Sequence, residues 1–135
     1  LLVTMAPIED AVVRARLESL LAASRVVLYS AKAYGDYAVT YMSTNVHEQL
    51  GYLPENFVRD PGFWANRLHP EDAPRVLGEL EAIAEQGHQK HEYRFLHGDG
   101  EYRWVYDEVM CVKDDAGRAV EIIGTWQDVT ARKEA

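Results

Sequence analysis

Three sets of side chains in this sequence have the chemistry for a reactive or metal centre. His88, His91 and His97 crowd one stretch, Cys111 is the only thiol, and 22 Asp and Glu residues offer acid and base groups. None meets the geometric demand of its chemistry. On a strand, the odd separation between His88 and His91 sends their rings to opposite faces, so no metal site is expected. One cysteine permits neither an intrachain disulfide nor a multi-thiolate centre, which suits a reducing cytoplasm. Acid-base catalysis needs two groups at a defined separation in a cleft, and no nucleophile elbow, phosphate loop or zinc signature accompanies the carboxylates. The expectation is a domain that is not an enzyme by itself. Tyr102, Trp104 and Tyr106 would stack nucleobases in a basic groove, but no Lys/Arg cluster surrounds them. They read as alternate residues sharing one sheet face, with no nucleic acid as partner.

The elements that position these groups follow from periodicity. Ile8 to Ser24 carries Val13, Leu17, Leu20 and Leu21 at helical spacing, with Arg14, Arg16 and Glu18 between them, an amphipathic N-terminal helix. Val26–Ser30 and Ala38–Met42 read as two strands joined across Gly35 and Asp36. Gly51, Pro54, Pro61 and Gly62 confine the next stretch to one-turn or two-turn helices. A longer helix follows, capped by Asp72, with Pro74 in its first turn and Val76, Leu77, Leu80, Ile83 and Ala84 as one apolar stripe ending at Gly87. Glu92–His97, Glu101–Lys113 and Arg118–Thr130 are strands punctuated by Gly98-Asp99-Gly100 and Asp114-Asp115-Ala116-Gly117, an antiparallel meander. The fold class is therefore α+β, an antiparallel sheet with helices mainly on one face.

Register places the candidate site. Counting from the Gly98–Gly100 loop pairs Arg103 with Phe95, Val105 with Tyr93 and Asp107 with His91. A four-residue loop at Asp114–Gly117 sets Lys113 against Arg118, and hence Arg103 opposite Asp128, Val105 opposite Trp126, Asp107 opposite Gly124 and Val109 opposite Ile122. Val105, Val109, Cys111, Val120, Ile122 and Trp126 share this face, which should lie under the helices, with Cys111 a small buried core residue. His91 and Asp107 are its polar exceptions, and Gly124 leaves space beside them. Either the two satisfy each other near the sheet edge, or they orient a small polar ligand against Tyr93 and Trp126. The candidate ligand residues are Tyr93, His91, Val105, Asp107, Ile122, Gly124 and Trp126. An Arg103–Asp128 ion pair, weak at ~0.2–1 kcal/mol if exposed, makes Arg103, Asp128 and Thr130 the candidate relay to the chain that follows.

Bulk properties agree with one cytoplasmic domain. The chain of 135 residues has a formal net charge of -8, with 47% hydrophobic and 27% charged residues, a globular composition that supports one core. No apolar run approaches the ~20 residues of a membrane span, and no signal peptide is evident. The outer sheet face carries Tyr102, Trp104, Tyr106 and Met110 with Ile123 and Val129. The N-terminal helix, from this chain or a second copy, is expected to cover it, which favours a homodimer.

At this point the sequence resembles the PAS family in the variety with a C-terminal PAC motif, over roughly residues 25 to 133. Tyr41-Met42-Ser43 leads into Leu50-Gly51-Tyr52, and Trp64 precedes His69-Pro70-Glu71-Asp72. Glu92-Tyr93-Arg94, Gly98-Asp99-Gly100, Arg103-Trp104-Val105, Gly117, Ile123-Gly124-Thr125 and Asp128-Val129-Thr130 then follow in family order before Arg132-Lys133-Glu134. The resemblance implies a PAS fold with five antiparallel strands in spatial order 2-1-5-4-3. With the amphipathic helix assigned to 1–24, it sets the sensory domain at 25–130 and the start of a linker at 131–135. It also implies a signal-transduction role, in which the domain binds a small ligand or relays a conformational signal to a histidine kinase of a two-component system or a GGDEF-type diguanylate cyclase. The alternative is a cofactor-free dimerisation module. Haem-binding relatives place their histidine within the helix whereas His69 precedes it, and the flavin-binding branch sets its cysteine in Asn-Cys-Arg-Phe-Leu, absent around Cys111. No flavin or haem signature is found, and no cofactor is assigned. Leu1 and the stop just past Thr130 both look like cuts from a longer protein whose output domain lies elsewhere.

Overall fold

Strands dominate the last third of the computed structural model, which describes residues 7–135. β3 (His88–Leu96), β4 (Tyr102–Lys113) and β5 (Ala119–Asp128) form the antiparallel meander, and β5 continues to β1 (Val27–Lys32), itself paired with β2 (Val39–Met42). The sheet order is β2-β1-β5-β4-β3. Alternate residues of each strand face the core: Tyr93 and Phe95, Val105 and Val109, Ile122 and Trp126, Val27 and Tyr29 are all buried.

The β3–β4 register is the one counted from the glycine loop, with Phe95 against Arg103, Tyr93 against Val105 and His91 against Asp107. The β4–β5 register differs by two residues. Asp114 N–H bonds the Arg118 carbonyl at 2.9 Å, so the loop holds one residue more than expected and Lys113 meets Ala119. An irregularity between Val112 and Lys113 then skips Val120, and Val112 meets Glu121. Val105 therefore faces Asp128, Asp107 faces Trp126, Val109 faces Gly124 and Cys111 faces Ile122, so none of the five expected pairs forms. Each one-residue offset alone would exchange the faces; together they restore them. Cys111 packs against the cluster that holds Leu80 and Ile83 but is only half-buried, and Val120, displaced by the irregularity, is exposed.

The inner face is covered by α2 (Val46–Leu50), α3 (Pro54–Arg59), a 3-10 turn at Ala65–Arg67, α4 (Ala73–Leu80) and α5 (Ile83–Gln86). Gly51 ends α2 at φ 84°, and the β3–β4 loop closes onto it: Gly98 N–H bonds the Leu50 carbonyl at 2.9 Å, where a Cβ on Gly98 would lie 2.8 Å from the Gly51 oxygen. The expected single helix up to Gly87 is two pieces. The Glu79 carbonyl accepts the Ala82 N–H in a tighter turn and also the Gln89 side-chain amide, which interrupts the α-helical ladder. Asp72 holds the N-cap position but does not cap. Its carboxylate instead accepts Arg94 N–H, Nε–H and Nη2–H at 2.8, 3.0 and 2.9 Å, tying the start of α4 to β3.

The N-terminal helix α1 spans Pro7–Ala23, and residues 1–6 of the expected helical segment lie outside the described residues. Val13, Leu17 and Leu20 are exposed, so its stripe does not pack on its own sheet. The chain after α1 is anchored by Asn45, whose amide donates to the Leu21, Ser24 and Val26 carbonyls. A last helix, α6 (Thr130–Glu134), leaves from the end of β5.

Candidate ligand site and its route to the C-terminal helix

Between the sheet and α4 lies an interior cavity of about 30 Å³, walled by the aromatic rings of Tyr29, Tyr37, Trp64 and Trp126 and closed by apolar side chains. Asp107 of β4 is at its polar end, 2% exposed. Burying a carboxylate costs free energy unless it is bonded, and two strands supply the bonds. The Tyr29 hydroxyl of β1 donates to Oδ1 and the Tyr93 hydroxyl of β3 to Oδ2, each at 2.8 Å. Trp64 Nε1–H in turn donates to the Tyr93 oxygen at 3.1 Å. Burial pushes the Asp107 carboxyl up to about 6, and the two tyrosine hydroxyls hold it from rising further. The same burial, with the Asp107 charge, raises both tyrosines well above their ordinary value, so they stay donors. Trp126 Nε1–H lies near enough to Asp107 to favour its charge, yet no partner meets hydrogen-bond geometry, and it is buried.

His91 stands opposite Asp107 in register but is not bonded to it, so the expected mutual pair is absent. Its Nε2 bonds Gln89 Oε1 at 2.7 Å. The Gln89 amide nitrogen is committed to the Glu79 carbonyl and Gln86 Oε1, so Gln89 Oε1 must accept and His91 Nε2 carries the proton. Burial lowers the His91 pKa against the opposing pull of Glu79, whose carboxylate is 3.3 Å from Nδ1. The imidazole is therefore neutral at neutral pH and supplies no counter-charge to Asp107.

Of the residues named from sequence, His91, Asp107, Ile122 and Trp126 line the cavity, and Tyr93 reaches it through Asp107. Val105 is core beside it, outside the lining. Gly124 leaves no free space. Tyr29 faces it across β1–β5 and lays its ring over it, so an added Cβ would lie 2.4 Å from that ring. Tyr29 was missed by sequence reasoning, although an aromatic residue against a strand glycine is a readable signal once β1 and β5 are paired. Tyr37 and Trp64 come from irregular segments that carry no periodicity. His69 is elsewhere, its Nδ1 accepting the Glu71 N–H and its ring against Tyr102. His88 points outward to Glu108, and His97 bonds the Asp99 N–H.

The candidate relay residues meet at the exit of β5. Arg103 Nε–H donates to Asp128 Oδ2 at 2.8 Å, diagonal rather than directly opposite in register. Asp128 Oδ1 accepts Thr130 N–H, Thr130 Oγ1 accepts Trp104 N–H, and Val129 N–H donates to the Trp104 carbonyl. Partial burial pushes the Asp128 carboxyl up, but Thr130 and Arg103 outweigh it and hold the group below its ordinary value. Glu92 then takes both cations of α6, Arg132 and Lys133, and Lys133 sits over the Trp104 ring at 4.5 Å. These contacts lie on the outer face of β3, one residue from His91 and Tyr93 on the inner face.

Comparison with known proteins agrees with this architecture. The PAS fold family matches residues 39–126. The methyl sulfide methyltransferase-associated sensor of Methanosarcina acetivorans is 30% identical over 121 residues, 88% of this chain and 12% of that protein. The two-component sensor PprA of Pseudomonas aeruginosa is 30% identical over 117 residues, 86% of this chain and again 12% of the relative. The N-terminal domain of a diguanylate cyclase with PAS/PAC sensor from Marinobacter aquaeolei superposes with a TM-score of 0.70 at 30% identity, covering 80% of this chain and 98% of that one. The chain thus spans a small part of the length of these curated sensors. No described helix is long and apolar enough to cross a membrane. Sheet order, helical cover, family match and relatives coincide, and the chain belongs to the PAS fold family.

Proposed function

We propose that this domain is the cytoplasmic sensory part of a signalling protein, binding a small ligand in the Asp107 cavity and passing its state through β3 and α6 to a histidine kinase or diguanylate cyclase output domain. The observation that carries the reading is the two-sidedness of β3. His91 and Tyr93 face the cavity system while Glu92 between them grips Arg132 and Lys133 of α6. A shift of that strand on ligand binding alters the hold on the departing helix. Relatives that are two-component or cyclase-linked sensors support the output class. The domain itself contributes no catalytic step. In the full-length protein, Asp128→Ala should disturb regulation of output while leaving the isolated domain folded by circular dichroism; unchanged regulation would count against the coupling.

A homodimer through α1 belongs to the same reading. Val13, Leu17 and Leu20 present an apolar stripe that the described residues leave uncovered, and Met110 and Ile123 are exposed on the outer sheet face. A second copy related by a twofold axis would bury both.

A further inference from the structure

The Asp107 cavity joins a buried carboxylate to aromatic walls and has no positive group inside it. Tyr29 and Tyr93 occupy one acceptor position on each Asp107 oxygen, leaving further lone pairs for a donor. The Tyr29 oxygen spends its proton on Asp107 and is itself an acceptor. His91 is neutral and bonded to Gln89, and Arg75, the nearest guanidinium on α4, is engaged with Glu79 and the Glu92 carbonyl. A buried carboxylate in such a site is stabilised either by a proton or by a cation. An anionic guest would meet Asp107 with nothing to offset the repulsion.

The walls select the kind of cation. Tyr29, Tyr37, Trp64 and Trp126 line the cavity, and aromatic faces attract desolvated ammonium groups. Val39, Val76, Leu80, Val109 and Ile122 add apolar lining that suits methyl groups and not the hydration shell of a metal ion. The volume of about 30 Å³ compares with roughly 10–15 Å³ for one water, so two or three non-hydrogen atoms fit. His91 is the side chain that separates the cavity from a larger cleft. His91 lines both this cavity and a polar cleft of about 220 Å³ between α4–α5 and β3, where Glu79 stands at the mouth.

We propose that the cavity binds a small organic ammonium ion the size of methylammonium, with Asp107 as its counter-charge, the tyrosine and tryptophan rings as its cage, and His91 as the side chain that must move for it to pass. This rests on the sensory reading and names the ligand class for it. The probe is methylammonium chloride, titrated into the domain by calorimetry and by two-dimensional NMR at constant ionic strength, with methanol, sodium formate and tetramethylammonium as controls of charge and size. Saturable binding of methylammonium alone is expected, with the Trp126 indole resonance shifting. Asp107→Asn should weaken it at least about thirtyfold, the scale of removing one partner from a buried charge pair. Val109→Ile, which keeps the carboxylate and fills the space, should abolish it, so a folding defect in Asp107→Asn does not shelter the idea. Saturable binding of methanol or formate in place of methylammonium overturns the ammonium class and keeps a ligand-sensing domain. If none binds while Asp128→Ala still alters output, the ammonium proposal fails and the relay stands; if Asp128→Ala is also silent, both fail.

Discussion

Replacing Asp107 by Asn tests the electrostatics of the site through the stability of the fold. In the unfolded chain this carboxyl titrates near 3.8, whereas in the folded state burial holds it up to about 6. The folded state therefore binds the proton more tightly. Its contribution is fully present below the unfolded value and is lost as pH rises from about 4 through about 6, after which stability no longer depends on this group. About two pH units at 1.36 kcal/mol each give a loss of about 3 kcal/mol across that window. Asp72, Glu92 and Asp128 are held below their ordinary values and act in the opposite direction, losing stability in acid. They are common to both proteins and cancel in the difference. Asparagine offers one acceptor oxygen to two tyrosine hydroxyls, so Asp107→Asn carries a fixed penalty of about 1–3 kcal/mol for the orphaned donor, without a pH slope in this range. Urea unfolding of both proteins from pH 4 to pH 8 gives the difference curve. Wild type should lose about 3 kcal/mol relative to the variant between pH 4 and pH 7. A flat difference would refute the burial of Asp107 without a counter-charge.

Gly124→Ala places a methyl 2.4 Å from the Tyr29 ring and should destabilise by about 1–3 kcal/mol; thermal unfolding unchanged within error would place the Tyr29 ring elsewhere. Asp72→Ala removes the acceptor of three Arg94 donors and should cost about 1–3 kcal/mol, read as a lower urea midpoint with an unchanged slope. Truncation before Leu21 keeps the carbonyls that Asn45 holds and removes the exposed stripe of α1. Light scattering should report a dimer for the full chain and a monomer for the truncated one, and a monomer for both would refute association through α1.

Legibility in the sequence followed the locality of each constraint. The β3–β4 pairing is set by a tight glycine loop between two uninterrupted alternating strands, and counting outward from Gly98–Gly100 places His91 against Asp107. The β4–β5 pairing depends on a loop one residue longer and an irregularity at Val112, neither with a signature in Asp114-Asp115-Ala116-Gly117, so the inward face was legible while the pairs were not. Asp107 was readable as a polar exception on an apolar face. Its partner Tyr29 was not, because it lies 78 positions away on β1, which reaches β4 only across β5. Asp72 looked like a cap since short acidic residues before a helix usually are. Its stronger partner, Arg94, is reached only once β3 lies beside α4. The break between α4 and α5 likewise comes from a side chain outside the helix, Gln89.

The paired offsets in the β4–β5 hairpin also leave this segment free to change length. Val120 is the residue skipped between the Lys113–Ala119 and Val112–Glu121 pairs, so its removal would close β5 onto the same partners and keep Ile122, Gly124 and Trp126 inward. A residue added to the Asp114–Arg118 loop lies outside the ladder and moves no pair. The tip of this hairpin therefore absorbs insertions and deletions of either parity, and the inward set is protected from length variation that would flip it if it fell farther along β5.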